Sequence, residues 1–154
     1  DPKAGVIRLS DSVRNSSSVA AIGVAAHEAG HAVQRKENYA PIRWRNAVLP
    51  VVNFASYAAL PLALIGYIFG NVLMTVGIIL FSVTVLFQLI TLPVEFDASN
   101  RALKTLSENG YLEGEELSGA KKVLQAAAMT YVSSALVAVM NLLRLVMLAN
   151  RRND

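Results

Sequence analysis

The chain has 154 residues, of which 54% are hydrophobic and only 16% are charged, with a formal net charge of +3. Soluble domains usually carry about 25% charged residues, so the composition argues against a soluble globular protein. The basic balance does not indicate nucleic-acid binding, because the Lys and Arg residues flank apolar segments and do not line one face together with aromatic side chains. The sequence has no cysteine, which excludes disulfides and Cys-based zinc sites.

The N-terminal part of the chain predicts one amphipathic helix. Before it, the weak alternation over residues 5–9 predicts one short strand. The serines at 16–18 offer N-caps for a helix from Val19 to about Glu37, along which apolar residues recur at three- and four-residue steps. The segment 38–41, Asn-Tyr-Ala-Pro, is predicted to end this helix.

Three apolar stretches follow, each of about the 20 residues that a membrane-spanning helix needs. The predicted spans are residues 47–70, 72–92 and 125–148. No Lys, Arg, Asp, Glu or His occurs between Ala47 and Leu92. Because Gly70-Asn71 is too short to form a soluble loop, the first two spans are predicted to form a helical hairpin, kinked at Pro50 and Pro61.

The region after the second span is polar and predicts a separate helix over 95–108, closed by Asn109-Gly110. We therefore predict an all-α, integral membrane helical bundle, in which residues 1–154 form a single membrane-embedded domain. The start at Asp1-Pro2, without a Met, indicates a fragment of a longer chain.

The order of the spans predicts which segments share a compartment. Two crossings separate residues 1–46 from residues 93–124, so both segments should lie on the same side of the membrane. Eleven of the fourteen Lys and Arg residues fall on that side. Cytoplasmic segments carry the excess of Lys and Arg, so this face is predicted to be cytoplasmic.

The sequence His27-Glu28-Ala29-Gly30-His31 is a metal-binding pattern, and its two histidines are the only ones in the chain. Residues four apart lie on one helix face, so both imidazoles can bind one Zn²⁺. Glu28 projects beside them and is placed to accept a proton from water as a general base. The motif therefore predicts one zinc ion per chain, with His27 and His31 as ligands.

A catalytic zinc site needs a third protein ligand, which must be Asp or Glu here because no further His or Cys exists. Glu95 is the favoured ligand, since a carboxylate in apolar surroundings just beyond a span needs a partner. Asp97 is the runner-up, and a two-residue spacing prevents both from facing one ion. Pairing of Glu95 with Arg101 or Lys104 is the alternative. The remaining candidates on this side are Glu108, Glu113, Glu115 and Glu116, in a solvated acidic stretch.

Three further residues are candidates for supporting roles. Ser99, four residues after Glu95 and on its helix face, could hold a ligand in place through a hydrogen bond. Arg101 and Tyr131 are candidates for stabilising a developing oxyanion, although helix packing or a surface ion pair explains each of them better.

The residues around the motif resemble a known family. The run 24–33 that contains the motif, the following Tyr39-Ala-Pro, the segment 86–99 and the tail from 124 to 145 together resemble the YugP-type bacterial membrane zinc metallopeptidases. The resemblance implies a neutral zinc peptidase, in a family with an additional N-terminal membrane helix that this chain would lack. It matches His27 and His31 to the ligand histidines and Glu28 to the catalytic glutamate.

The same resemblance matches Glu95 to the glutamate of a Pro-Val-Glu-Phe segment. That segment is similar to the third-ligand helix of HtpX-like and CAAX-processing membrane proteases, which implies that this helix and the motif helix lie at the membrane surface. Those wider relatives carry an Asp four residues after the ligand glutamate, where this chain has Ser99.

These observations predict a zinc-dependent endopeptidase of the bacterial cell membrane, in contact with lipid, with its site facing the cytoplasm and a peptide or membrane protein as substrate. The alternative is a non-catalytic, metal-binding membrane scaffold or binding protein. The intact Glu28 favours the enzyme, because a structural zinc site has no use for a base there. A transporter finds little support, since ion transport usually leaves ionisable residues within the membrane.

Overall fold

The computed structural model describes residues 6–153, and that part of the chain contains five helices and no strand. They are α1 (Asp11–Arg14), α2 (Val19–Lys36), α3 (Ala40–Phe69), α4 (Asn71–Glu108) and α5 (Gly114–Asn153). The all-α prediction is confirmed. The predicted strand over 5–9 is wrong for residues 6–9, which have no regular structure, and Gly5 lies outside the described residues. A strand needs a partner to pair with, and residues 6–153 provide none.

Both ends of α2 are fixed by local hydrogen bonds. The Ser18 side chain accepts a hydrogen bond from the backbone N–H of Ala21 at 3.2 Å, as an N-cap does. At the other end Asn38 adopts a left-handed φ of 55°, and the N–H of Tyr39 donates to the carbonyl of Gln34 at 2.9 Å. The predicted helix from Val19 to about Glu37 is therefore confirmed to within one residue.

The three long helices have the length and composition of membrane spans. Each is between 30 and 40 residues long. In each helix, no more than 22% of the most apolar 18-residue segment is buried inside the chain. Their apolar side chains therefore point mostly outward, which suits lipid better than water. The predicted spans fall within α3, α4 and α5, apart from Gly70, which separates α3 from α4.

The helices extend further than the sequence predicted. The predicted end of the motif helix before residues 38–41 is confirmed, since α2 ends at Lys36, but α3 already begins at Ala40. Pro41 lies in its first turn, where a proline costs no hydrogen bond. The predicted separate helix over 95–108 is instead continuous with the span over 72–92, because Pro93 lies inside α4. A proline in an apolar helix loses one backbone bond but need not end it. The predicted break at Asn109-Gly110 is confirmed, and Gly110 has a φ of 64°.

The chain forms two compact units, and α3, α4 and α5 contribute to both. The first unit comprises the described residues of 1–43 and 92–130. Within it α2 packs against the C-terminal part of α4 and the N-terminal part of α5. Leu106, Leu112 and Ala120 form the buried centre of this packing, covered by Val19, Ile22, Ala26, Leu103 and Leu117.

The second unit comprises residues 44–91 and the described residues of 131–154. Here α3 and α4 form a helical hairpin with Gly70 between them. A Cβ atom at Gly77 of α4 would lie 2.5 Å from the backbone nitrogen of Ala63 on α3, so the two helices approach closely. Small residues allow such contacts between apolar helices. That the whole chain forms one membrane-embedded domain stays a prediction.

Candidate metal centre

Two consecutive turns of α2 present His27 and His31 on the same face of the helix. Their rings stand edge to face with centroids 4.7 Å apart, as the four-residue spacing requires. Their side chains are 17% and 10% exposed, so both imidazoles are largely withdrawn from solvent.

A close contact between α2 and α4 brings the third side chain to this pair. A Cβ atom at Gly30 would lie 2.5 Å from the carbonyl oxygen of Ala98, so only glycine permits this approach. One turn before Ala98, the Glu95 carboxylate oxygen Oε2 lies 3.2 Å from Nε2 of His27 and 3.5 Å from Nε2 of His31. The Glu95 side chain is only 5% exposed.

The donor set of this cluster fits a divalent metal ion. Among residues 6–153, the ligand-type atoms of His27, His31 and Glu95 form a group in which all lie within 4.8 Å of one another. Two imidazoles and one carboxylate are a zinc donor set that leaves a coordination position open. A buried carboxylate is costly unless positive charge lies beside it, and a bound cation supplies that charge.

The Nδ1 atom of each histidine, on the side of the ring away from Glu95, also contacts a polar partner. Nδ1 of His27 lies 3.1 Å from the hydroxyl oxygen of Ser99, which the sequence had singled out. Nδ1 of His31 lies 2.9 Å from Oε1 of Gln34, and Gln34 is completely buried. The sequence reasoning missed Gln34. Its position three residues after His31, on the same helix face, is the signal that could have identified it.

Glu28 precedes Ala29 and Gly30 on α2 and is partly buried next to His27 in the chain. Its carboxylate forms no hydrogen bond or ion pair with the residues that the structure describes.

Asp97, the runner-up ligand, lies in a different network. Its Oδ2 accepts hydrogen bonds from Nε of Arg101 at 2.6 Å and from Nε2 of Gln34 at 2.8 Å. Arg101 also donates to Glu37 at 2.5 Å and lies over the ring of Tyr39, with its Cζ 5.7 Å from the ring centroid. Burial and the negative charge of Asp97 raise the pKa of Tyr39. The cation of Arg101 is thus shared between two carboxylates at the edge of the cluster.

The remaining predicted residues lie elsewhere. Lys104 pairs with Glu108 at 3.8 Å, an exposed contact along one helix. The structure therefore pairs Arg101 and Lys104 with carboxylates other than Glu95. Tyr131 belongs to the second unit, where it lies on α5 with 36% of its surface exposed.

Comparison with known proteins points to one family. A family model described as "Putative neutral zinc metallopeptidase" matches residues 1–150 of the chain. The chain is 50% identical over 149 residues to a protein of Bacillus subtilis (strain 168) named "Putative membrane protease YugP". That alignment covers 96% of this chain and 66% of the relative, so the chain spans just under two thirds of the length of the curated relative it matches. No solved structure gives a significant match.

Proposed function

Because the chain belongs to this family of neutral zinc metallopeptidases, we propose that it is a zinc-dependent membrane endopeptidase. Its substrates in this proposal are membrane or membrane-proximal polypeptides, and it binds one zinc ion per chain. The observation that carries the proposal is the convergence of His27, His31 and Glu95, from two helices remote in sequence, with the motif residue Glu28 next to His27.

In this proposal the zinc ion is held by His27, His31 and Glu95. When bound, zinc lowers the pKa of water toward about 7 and polarises a peptide carbonyl. The role of the protein ligands is to present three donors and leave a position open. A purely structural zinc site is usually closed by four protein ligands, so a three-residue donor set favours catalysis.

Glu28 is the proposed general base. Its carboxylate accepts the proton of the attacking water and later delivers it to the departing amine of the cleaved peptide. The half-buried position of Glu28 leaves the group accessible. The scaffold alternative gives Glu28 no chemical role.

The continuity of α4 from its apolar segment to Glu95 supports the proposed location of the substrate. The helix that provides Glu95 is continuous with the apolar segment over residues 72–92. A peptide bond that reaches this centre would therefore belong to a membrane-embedded or juxtamembrane polypeptide. Residues 6–43 and 92–130 fall in the same compact unit, and most of the chain's Lys and Arg residues lie within these two segments. We place this unit in the cytoplasm.

The test compares wild type with Glu28→Gln, purified in detergent and assayed for both zinc content and proteolysis. The substituted amide keeps the shape of the side chain but cannot accept the proton. The expected result is wild-type zinc content with loss of peptide hydrolysis. Glu108→Gln, which changes an exposed glutamate on α4, is the matched control and should stay active. A zinc-loaded wild type that cleaves neither membrane nor soluble polypeptides would favour the scaffold.

A further inference from the structure

Gln34 makes hydrogen bonds that connect His31 to α4. It is completely buried, and its carboxamide is within hydrogen-bond distance of three groups. Oε1 lies 2.9 Å from Nδ1 of His31, while Nε2 lies 2.8 Å from the backbone oxygen of Val94 and 2.8 Å from Oδ2 of Asp97. Two of these neighbours are on α4 and one is on α2.

The hydrogen-bond chemistry of these partners fixes the orientation of the amide. A backbone carbonyl and a carboxylate can only accept, so the NH₂ group of Gln34 must face Val94 and Asp97. Its oxygen must then face His31, and an amide oxygen can only accept. The hydrogen that Gln34 accepts is therefore on Nδ1 of His31, so Nε2, which lies 3.5 Å from Oε2 of Glu95, is the nitrogen that can bind a metal ion.

The contact between His27 and Ser99 does not fix which ring nitrogen of His27 carries the hydrogen. A serine hydroxyl both donates and accepts, so the 3.1 Å contact between Ser99 and Nδ1 of His27 does not select a tautomer. The Asp97 oxygen that accepts from Gln34 also accepts a hydrogen bond from Arg101 at 2.6 Å. This second bond helps to hold the acceptor of Gln34 in place.

We propose that Gln34 is a positioning residue for the metal centre, which holds His31 in the tautomer that presents Nε2 to the ion. The proposal rests on the proposed zinc site. Partners of this kind orient ligand imidazoles, and their loss typically costs 10–100-fold in metal affinity. Gln34 itself contacts neither the ion nor the substrate in this proposal.

The first experiment reads the tautomer of metal-free protein and does not depend on zinc binding. The chain contains two histidines, so ¹⁵N-histidine labelling gives a simple spectrum that His27→Ala assigns. The imidazole nitrogen shifts of His31 should report hydrogen on Nδ1 in wild type and less hydrogen on Nδ1 in Gln34→Met, which keeps the length of the side chain but removes the acceptor that faces Nδ1. Gln125→Met, at an exposed glutamine, should leave the spectrum unchanged.

The second experiment measures zinc affinity by competition with a chromogenic chelator, together with the visible spectrum of the Co²⁺-loaded protein. Gln34→Met should bind zinc about 10–100-fold more weakly than wild type and show an altered Co²⁺ spectrum, with Gln125→Met unchanged. The melting temperature of Gln34→Met, measured beside that of Gln125→Met, separates loss of the fold from loss of the hydrogen bond to His31.

Zinc affinity and a His31 tautomer that are both unchanged in Gln34→Met would overturn the inference. A wild-type protein that binds no zinc would instead overturn the proposed function, and the ¹⁵N spectrum distinguishes the two failures.

Discussion

Nε2 of His27 and Oε2 of Glu95 lie 3.2 Å apart, although 68 positions separate the two residues in the sequence. The same oxygen lies 3.5 Å from Nε2 of His31. One carboxylate oxygen thus faces both imidazoles. The predictions below follow from this arrangement and from the helix contacts that create it.

Removal of either histidine should abolish tight zinc binding. His27→Ala and His31→Ala each delete one of the three proposed ligands, and two of the three come from α2. Elemental analysis of detergent-purified protein should give about one zinc per chain in wild type and little in either variant. Equal zinc content in all three proteins would contradict the ligand assignment.

Glu95→Gln should weaken zinc binding far more than Asp97→Asn. The amide at position 95 loses the charge that balances the ion, whereas the Asp97 carboxylate bonds to Gln34 and Arg101 and its amide can still accept from both. Chelator competition on the two variants side by side measures this. A larger loss of zinc in Asp97→Asn would transfer the ligand role to Asp97.

Gly30→Ala should separate α2 from α4 and weaken zinc binding. The added Cβ would lie 2.5 Å from the Ala98 carbonyl oxygen and 3.2 Å from its Cα, and these backbone atoms cannot rotate away. Overpacking of this kind costs about 1–3 kcal/mol of stability. Gly23→Ala is the control on the same helix, because its Cβ would make ordinary contacts starting at 3.8 Å.

Thermal unfolding and zinc affinity, measured on both glycine variants, check this prediction. Gly23→Ala should be neutral or stabilising, since alanine is favoured over glycine in a helix by up to about 1 kcal/mol. If Gly30→Ala matches Gly23→Ala in both measurements, the close contact between α2 and α4 does not exist.

The segment before α3 and the polar C-terminal part of α4 should be accessible from the same side of the membrane. The chain has no native cysteine, so single cysteines at Ser12 and Ser107, both exposed positions, can be labelled in intact cells with an impermeant reagent. Both should be protected until the membrane is permeabilised, because we place them in the cytoplasm. Labelling of one without the other would contradict both the hairpin and the three-residue ligand set.

The motif helix could be predicted from the sequence because its signals are local. Serine caps, apolar periodicity and the four-residue histidine spacing all act within a few turns, and α2 matches them closely. Elimination restricted the third ligand to a carboxylate, because the chain has only two histidines and no cysteine. Glu95 could then be favoured for its apolar surroundings just beyond a span. The structure then brings this side chain to the histidines.

The complete burial of Gln34 and the continuity of α4 could not be predicted, because both depend on what surrounds these residues in the folded chain. A glutamine at Gln34 is typical of an exposed helix position, and only the packing of α4 against it explains its complete burial. The continuity of α4 through Pro93 was also missed, since proline usually marks a helix boundary. In an apolar environment without competing water, the remaining backbone bonds favour continuation of the helix.

Glu95 follows both apolar segments of the hairpin in the sequence, and this order affects biosynthesis. A ribosome completes His27 and His31 before it has made the hairpin, and it makes Glu95 only after both apolar segments have been synthesised. In the proposed enzyme, a nascent chain therefore lacks the full set of ligands until its hairpin is ready to enter the bilayer. Proteolytic capacity would then arise only after both apolar segments of the hairpin have left the ribosome.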